Sequence, residues 1–228
     1  MCARWHDGAG MPRKGRCAYC GALGDCTKDH VIPRALYPAS LTTSRIQRRT
    51  VSACRPCNAN WENDEPHFRN VLLMCGGSSE VVNELWEGET RRSFQYCDGR
   101  KRVIDLAAQM VPVQTTEVQR HKVFPANDPR VMRIVRKVAR GLCHYHGVMS
   151  PVLDNQVWAD VQRVALAPKV VEAMVFTHAE KEVIQYGVVV TKDHDKLHSF
   201  WVLRFFNRVS FVCLVYQSPE ALERDIAA

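Results

Sequence analysis

Four β-branched and aromatic runs close the chain: VEAMVFT (171–177), VIQYGVVVT (183–191), HSFWVLRFF (198–206) and VSFVCLVYQ (209–217). Short polar linkers separate them, which favours antiparallel hairpins, so the pattern predicts a small antiparallel sheet. Upstream the period changes. Val131, Ile134, Val135, Val138 and Leu142 recur at helical spacing, behind Asp128 as a cap and Pro129 at the first helical position, where no N–H is needed. Arg130, Arg133, Lys137 and Arg140 recur on another face of that helix. They read either as the solvent side of a surface helix or as a track for phosphates. A second helix is expected over about Asp154–Leu166, with both helices packed on the sheet.

The first half is less regular. SSEVVNELW (78–86) predicts a short helix capped by Ser78 or Ser79. Between residues 88 and 127 Gly, Pro and Thr interrupt the pattern, and strands are expected near SFQYC and KRVIDLA. A helix starting near Cys57 would place Asn58 and Glu62 on one face. Pro66 would then force a kink or a restart. Trp61, Phe68 and Leu72 suit packing, and His67 is expected at the surface. The fold class is α+β. Residues 1–15 read as a loose basic arm, 16–76 as a cysteine-bearing domain, 77–127 as a connecting region and 128–228 as an α+β domain.

No apolar run reaches the roughly 18 residues of a membrane span, and the first residues lack the apolar core of a secretory signal. A cytoplasmic protein with no membrane partner is expected. In that compartment ten cysteines do not predict disulfides. Two pairs instead have metal-ligand spacing, Cys17-x-x-Cys20 and Cys54-x-x-Cys57, and together they offer a tetrahedral shell of four thiolates for structural zinc. Cys26 is close enough to compete. The formal net charge of +7 points to a polyanionic partner, most simply nucleic acid. Arg45, Arg48, Arg49 and Arg55 cluster between and beside the pairs as candidate phosphate contacts.

Between the pairs lies Thr27-Lys-Asp29-His30-Val-Ile-Pro33, and Asn58 follows the second pair directly. Order, spacing and the CxxCN ending over residues 16–75 resemble the HNH endonuclease family, in its zinc-bearing, endonuclease VII-like branch. The resemblance implies a ββα-metal (treble-clef-like) domain that hydrolyses phosphodiester bonds in DNA. It assigns Asp29 and Asn58 as ligands of a catalytic Mg²⁺ or Mn²⁺ and His30 as general base. Glu62 reads either as a third ligand or as an exposed helix carboxylate. The family's middle Asn, which helps orient the catalytic imidazole, has no counterpart in Arg48-Arg49-Thr50-Val51-Ser52; its slot is closest to Arg49. That departure motivates an alternative, an inactive zinc-containing module that binds nucleic acid. A protein-interaction role is a third reading. DNA is the expected partner with RNA open, as is a homodimer or protein partner through the C-terminal domain.

Overall fold

The structure, a computed structural model, describes residues 13–42, 48–75, 79–95, 98–113, 121–180, 182–191 and 196–227. It mixes helix and sheet. Strands β1 (Arg13–Arg16) and β2 (Leu23–His30) form an antiparallel hairpin. The loose arm expected to reach residue 15 therefore gives way to a strand at Arg13. After a 3₁₀ turn and α1 (Ala39–Thr42), β3 (Thr50–Cys54) pairs antiparallel with β2. α2 (Arg55–Ala59) starts directly at the end of β3, and α3 (Asp64–Met74) follows after a turn. The expected helix does restart: Pro66 lies in the first turn of α3, where its missing N–H breaks no helical bond.

α4 (Glu80–Leu85) is capped by Ser79, whose hydroxyl accepts from the Val82 N–H. α5 (Arg91–Gln95) takes in Ser93–Gln95 of the first segment expected to be a strand, whose residues 96 and 97 lie outside the described residues, and α6 (Gly99–Gln109) covers the second. Val103 and Ile104 of KRVIDLA are both exposed, and only Leu106 of that run is buried. Lys, Arg, Leu and Ala are good helix formers, and with so little to bury their backbone preference decides. A two-stranded ribbon, β4 (Val111–Val113) with β5 (His121–Val123), leads to α7 (Pro129–Tyr145). Asp128 caps α7, accepting from the N–H groups of Arg130 and Val131.

The second expected helix is absent from 157–161. Asp154–Gln156 make one 3₁₀ turn, and β6 (Val157–Val161) then pairs antiparallel with a later strand. Val157, Ala159 and Val161 alternate with Trp158 and Asp160, a period of two that a helix cannot use. α8 (Pro168–Ala173) precedes β7 (Val175–Glu180), β8 (Ile184–Val190), β9 (Leu197–Phe205) and β10 (Val209–Tyr216), and α9 (Pro219–Ile226) ends the described chain. The first of the four final runs divides, Val171–Ala173 closing α8 and β7 starting at Val175; with the other three it forms the expected antiparallel sheet, and β6 is added at one edge in the order β6-β10-β9-β8-β7.

α7 is the hub, touching α3, β3, β6 and β10. One hydrophobic cluster runs from Tyr19 and Val31 through Phe68, Ile134 and Val138 to Trp201 and Phe211, so the cysteine-bearing segment and the sheet share a core. Phe68 of α3 meets Phe205 edge-on at 5.2 Å and lies 6.2 Å from Phe211. Gly141 of α7 lets the hairpin close in, since a Cβ there would stand 2.9 Å from Val31 Cγ1. Among the described residues no helix is long and apolar enough to cross a membrane.

Candidate metal centre

The four paired cysteines converge. Cys17 and Cys20 lie in the β1–β2 turn, closed by bonds from Cys17 N to Ala22 O and from Gly21 N to Cys17 O. Gly21 has φ +74°, a left-handed conformation that glycine adopts at little cost. Cys54 ends β3 and Cys57 lies in α2. The four sulfurs lie within 4.8 Å of one another, and Cys20 and Cys54 sulfurs are 3.7 Å apart. A tetrahedral zinc–thiolate shell with bonds of about 2.3 Å requires sulfurs about 3.8 Å apart, so the set fits an ion such as zinc. Burial opposes the Cys17 thiolate, but backbone N–H groups of Cys54, Cys20 and Tyr19 outweigh it and hold the thiol at about 7. Burial and the neighbouring sulfurs push Cys57 the other way. A cation is what allows all four to ionise together. Cys26 stands apart, its thiol directed at the Gly15 carbonyl.

Asp29 and His30 end β2, and neighbouring residues of a strand face opposite sides of the sheet. The register pairs Asp29 with Val51 and Thr27 with Ala53, an inward face; it pairs His30 with Thr50 and Lys28 with Ser52, the other face. Asp29 is 5% exposed. Its Oδ2 accepts from the Tyr19 hydroxyl at 2.6 Å and its Oδ1 from Lys137 Nζ at 3.1 Å. Asn58 belongs to the same inward side, its amide donating to Thr27 Oγ1 at 2.9 Å. Lys137 is fully buried, and its ammonium also donates to the His30 carbonyl at 3.0 Å and to Glu65 Oε1 at 2.6 Å.

This arrangement does not fit a catalytic Mg²⁺ or Mn²⁺. Hard cations need open oxygen ligands, and both Asp29 oxygens already have partners. An ion on Asp29 would have to displace a buried ammonium. His30 does not share that inward face. Burial, then Arg34, Arg48 and Lys137, lowers its pKa to about 4, so the ring is neutral at pH 7. Its Nδ1 is buried without a hydrogen-bond partner. At the slot of the expected middle Asn, the Arg49 carbonyl accepts from the Val31 N–H.

The cationic stripe of α7 is corrected. Arg140 is buried, donating to the carbonyls of Val152 and Tyr19, and its guanidinium lies 5.2 Å from the Tyr19 ring centre. Arg130 and Arg133 both bind the buried Asp64 carboxylate. With neighbours on so many sides α7 has no broad solvent face, and its cations tie it to the hairpin and α3. Glu62 sits in the turn between α2 and α3, not on a helical face with Asn58; it is exposed and lines a cleft with Asn63, Pro66 and His67. His67 is buried, its Nε2 2.8 Å from Asp128 Oδ2. Arg55 is exposed, Arg48 stacks on Tyr37, and Arg49 lies against Tyr145 and Tyr186. Arg45 lies outside the described residues.

Tyr19 and Glu65 were not anticipated. Tyr19 sits inside the first CxxC, where an aromatic residue signals a buried knuckle. Glu65 carries no signal of its own. Comparison of the chain with protein-family models, curated proteins and solved structures gives no match.

Proposed function

We propose that the chain is a zinc-stapled module of the HNH type that binds nucleic acid, DNA foremost, and does so without a catalytic divalent ion. The observation that carries this reading is the division of the sheet into two faces. The inward face is closed by Asp29, Tyr19 and Lys137. The register groups Arg13, Lys28 and His30 on the other, with Arg34 and Arg48 close enough to act on the His30 ring. Arg13 and Lys28 border a cleft of about 420 Å³ that also exposes Thr50 and Ser52. A hairpin and helix stapled by four cysteines fit the ββα resemblance, with zinc holding the strands rigid beneath this surface. Each cation that meets a phosphate releases counterions, which supplies affinity in proportion to contacts made.

Fluorescence anisotropy of a labelled DNA duplex, titrated across salt concentrations, tests the proposal. Replacing Lys28 and Arg34 by alanine should flatten the slope of log K against log[salt] by about 1.8, two contacts at roughly 0.9 each. An unchanged slope and affinity would remove this face from consideration, and no affinity at all would favour a protein-interaction role. An RNA duplex in parallel separates the two nucleic acids.

A second reading, an active endonuclease, is favoured by one observation. His30 is neutral at pH 7, as a general base must be. In that reading His30 takes the proton of the attacking water while the nearby arginines neutralise the phosphate. Plasmid nicking by the wild type, with and without Mg²⁺ or Mn²⁺, and its loss in His30→Ala would establish it. Binding without nicking leaves the first reading standing.

A further inference from the structure

We propose that Asp29, Glu65 and the His30 carbonyl form a cation cage whose resident is the Lys137 ammonium, and that shortening this side chain turns the cage into a divalent-cation site. An ammonium has three N–H donors and no acceptor. Lys137 Nζ meets three oxygens, at 2.6 Å (Glu65 Oε1), 3.0 Å (His30 O) and 3.1 Å (Asp29 Oδ1), which accounts for every donor. Those oxygens come from α3 and from two successive residues of β2, whereas the lysine arrives from α7. The Trp61 ring, 5.9 Å away, closes another side, and the Tyr19 hydroxyl holds the second Asp29 oxygen.

Two carboxylates around one ammonium leave room for a second positive charge. The ligands are all oxygen, the set preferred by Mg²⁺, Mn²⁺ and Ca²⁺ rather than by zinc, whose softer thiolate site lies in the cysteine cluster. Replacing Lys137 by alanine removes the ammonium together with the column of methylenes that delivers it, and leaves the oxygens facing an open space. Methionine fills that space without a charge. The inference is independent of nucleic-acid binding or cleavage.

The test is Mn²⁺ binding to the zinc-loaded full chain, followed by electron paramagnetic resonance and by melting temperature. The wild type and Lys137→Met should show no saturable Mn²⁺ site. Lys137→Ala should bind one Mn²⁺ and gain roughly 5 °C at a concentration a hundredfold above its dissociation constant, and adding Asp29→Asn should abolish both effects. Saturable Mn²⁺ binding by the wild type that Asp29→Asn removes would overturn the proposal. So would a folded Lys137→Ala protein that takes up no Mn²⁺. If Lys137→Ala does not fold alone, recovery of folding by Mn²⁺ or methylammonium supports the cage, and recovery by neither overturns it.

Discussion

Replacing Lys137 by methionine isolates the charge at the centre of the molecule. Methionine keeps most of the volume and adapts its shape, so the cavity contribution is small. What changes is that Asp29 keeps only the Tyr19 hydroxyl, and Glu65 loses its cation. Removing one partner of a buried ion pair costs about 3–5 kcal/mol. Glu65 limits that cost by taking up a proton. Burial already pushes its pKa up, and Lys137 is the main influence pulling it back. A carboxyl whose folded pKa exceeds its unfolded value of about 4.3 contributes most below that value and loses the contribution as pH rises through the folded pKa. The variant should therefore suffer least near pH 5 and most near pH 8. Urea unfolding at both pH values reads the difference. With a slope near 3 kcal/mol/M, a loss of about 4 kcal/mol at pH 8 lowers the midpoint by about 1.3 M. The triple replacement Asp29→Asn, Glu65→Gln, Lys137→Met, which removes the charges on both sides, should recover roughly half of the loss. A single variant within about 1 kcal/mol of wild type at pH 8, or one harmed more at pH 5, would refute the reasoning.

Elemental analysis should find one zinc per chain, and Cys57→Ser should lose it with a penalty of roughly 5 kcal/mol or more; full zinc retention would exclude the four-cysteine site. Asp128→Ala removes the α7 cap and the partner of His67, for a loss of about 2 kcal/mol in thermal melts at pH 7. Burial works against the Asp128 carboxylate, but His67 and the N–H groups of Val131 and Arg130 outweigh it and hold its pKa below the usual range. Its contribution is thus present above about pH 3.9 and lost as pH falls through the lower folded value, so the gap to Asp128→Ala must narrow in acid. A gap that widens there would contradict the assignment.

The strands and the central helix were legible because their signals are local. Asp128-Pro129 marks the start of α7 whatever packs on it, and the final runs are rich enough in β-branched and aromatic residues, with short polar linkers, to specify a sheet. The run KRVIDLA (101–107) misled because two exposed β-branched side chains, Val103 and Ile104, imitate a strand in a segment that buries little. β6 was hidden by its neighbourhood. Val157–Val161 follows a turn that resembles a helix start, and its registered partners in β10 lie fifty or more residues away, so no local pattern shows the pairing.

The motif shows a sharper form of the same limit. Spacing along the chain brought Cys17, Cys20, Cys54 and Cys57 together, because a pair with two residues between its members projects from one tight turn and two such turns need only be adjacent. Spacing says nothing about which way Asp29 and His30 face. Only strand alternation within a registered sheet decides that, and it puts Asp29 inside and His30 on the other side. Nor does spacing show what waits inside. Lys137 is 108 residues from Asp29 and sits among arginines that looked like a solvent stripe. α7 itself carries no clue to this, since Arg130, Arg133, Lys137 and Arg140 share one face beside the apolar stripe. A lysine that packing seals from water must find acceptors inside the protein, and one of the two carboxylates that Lys137 meets is the one the motif had reserved for a metal.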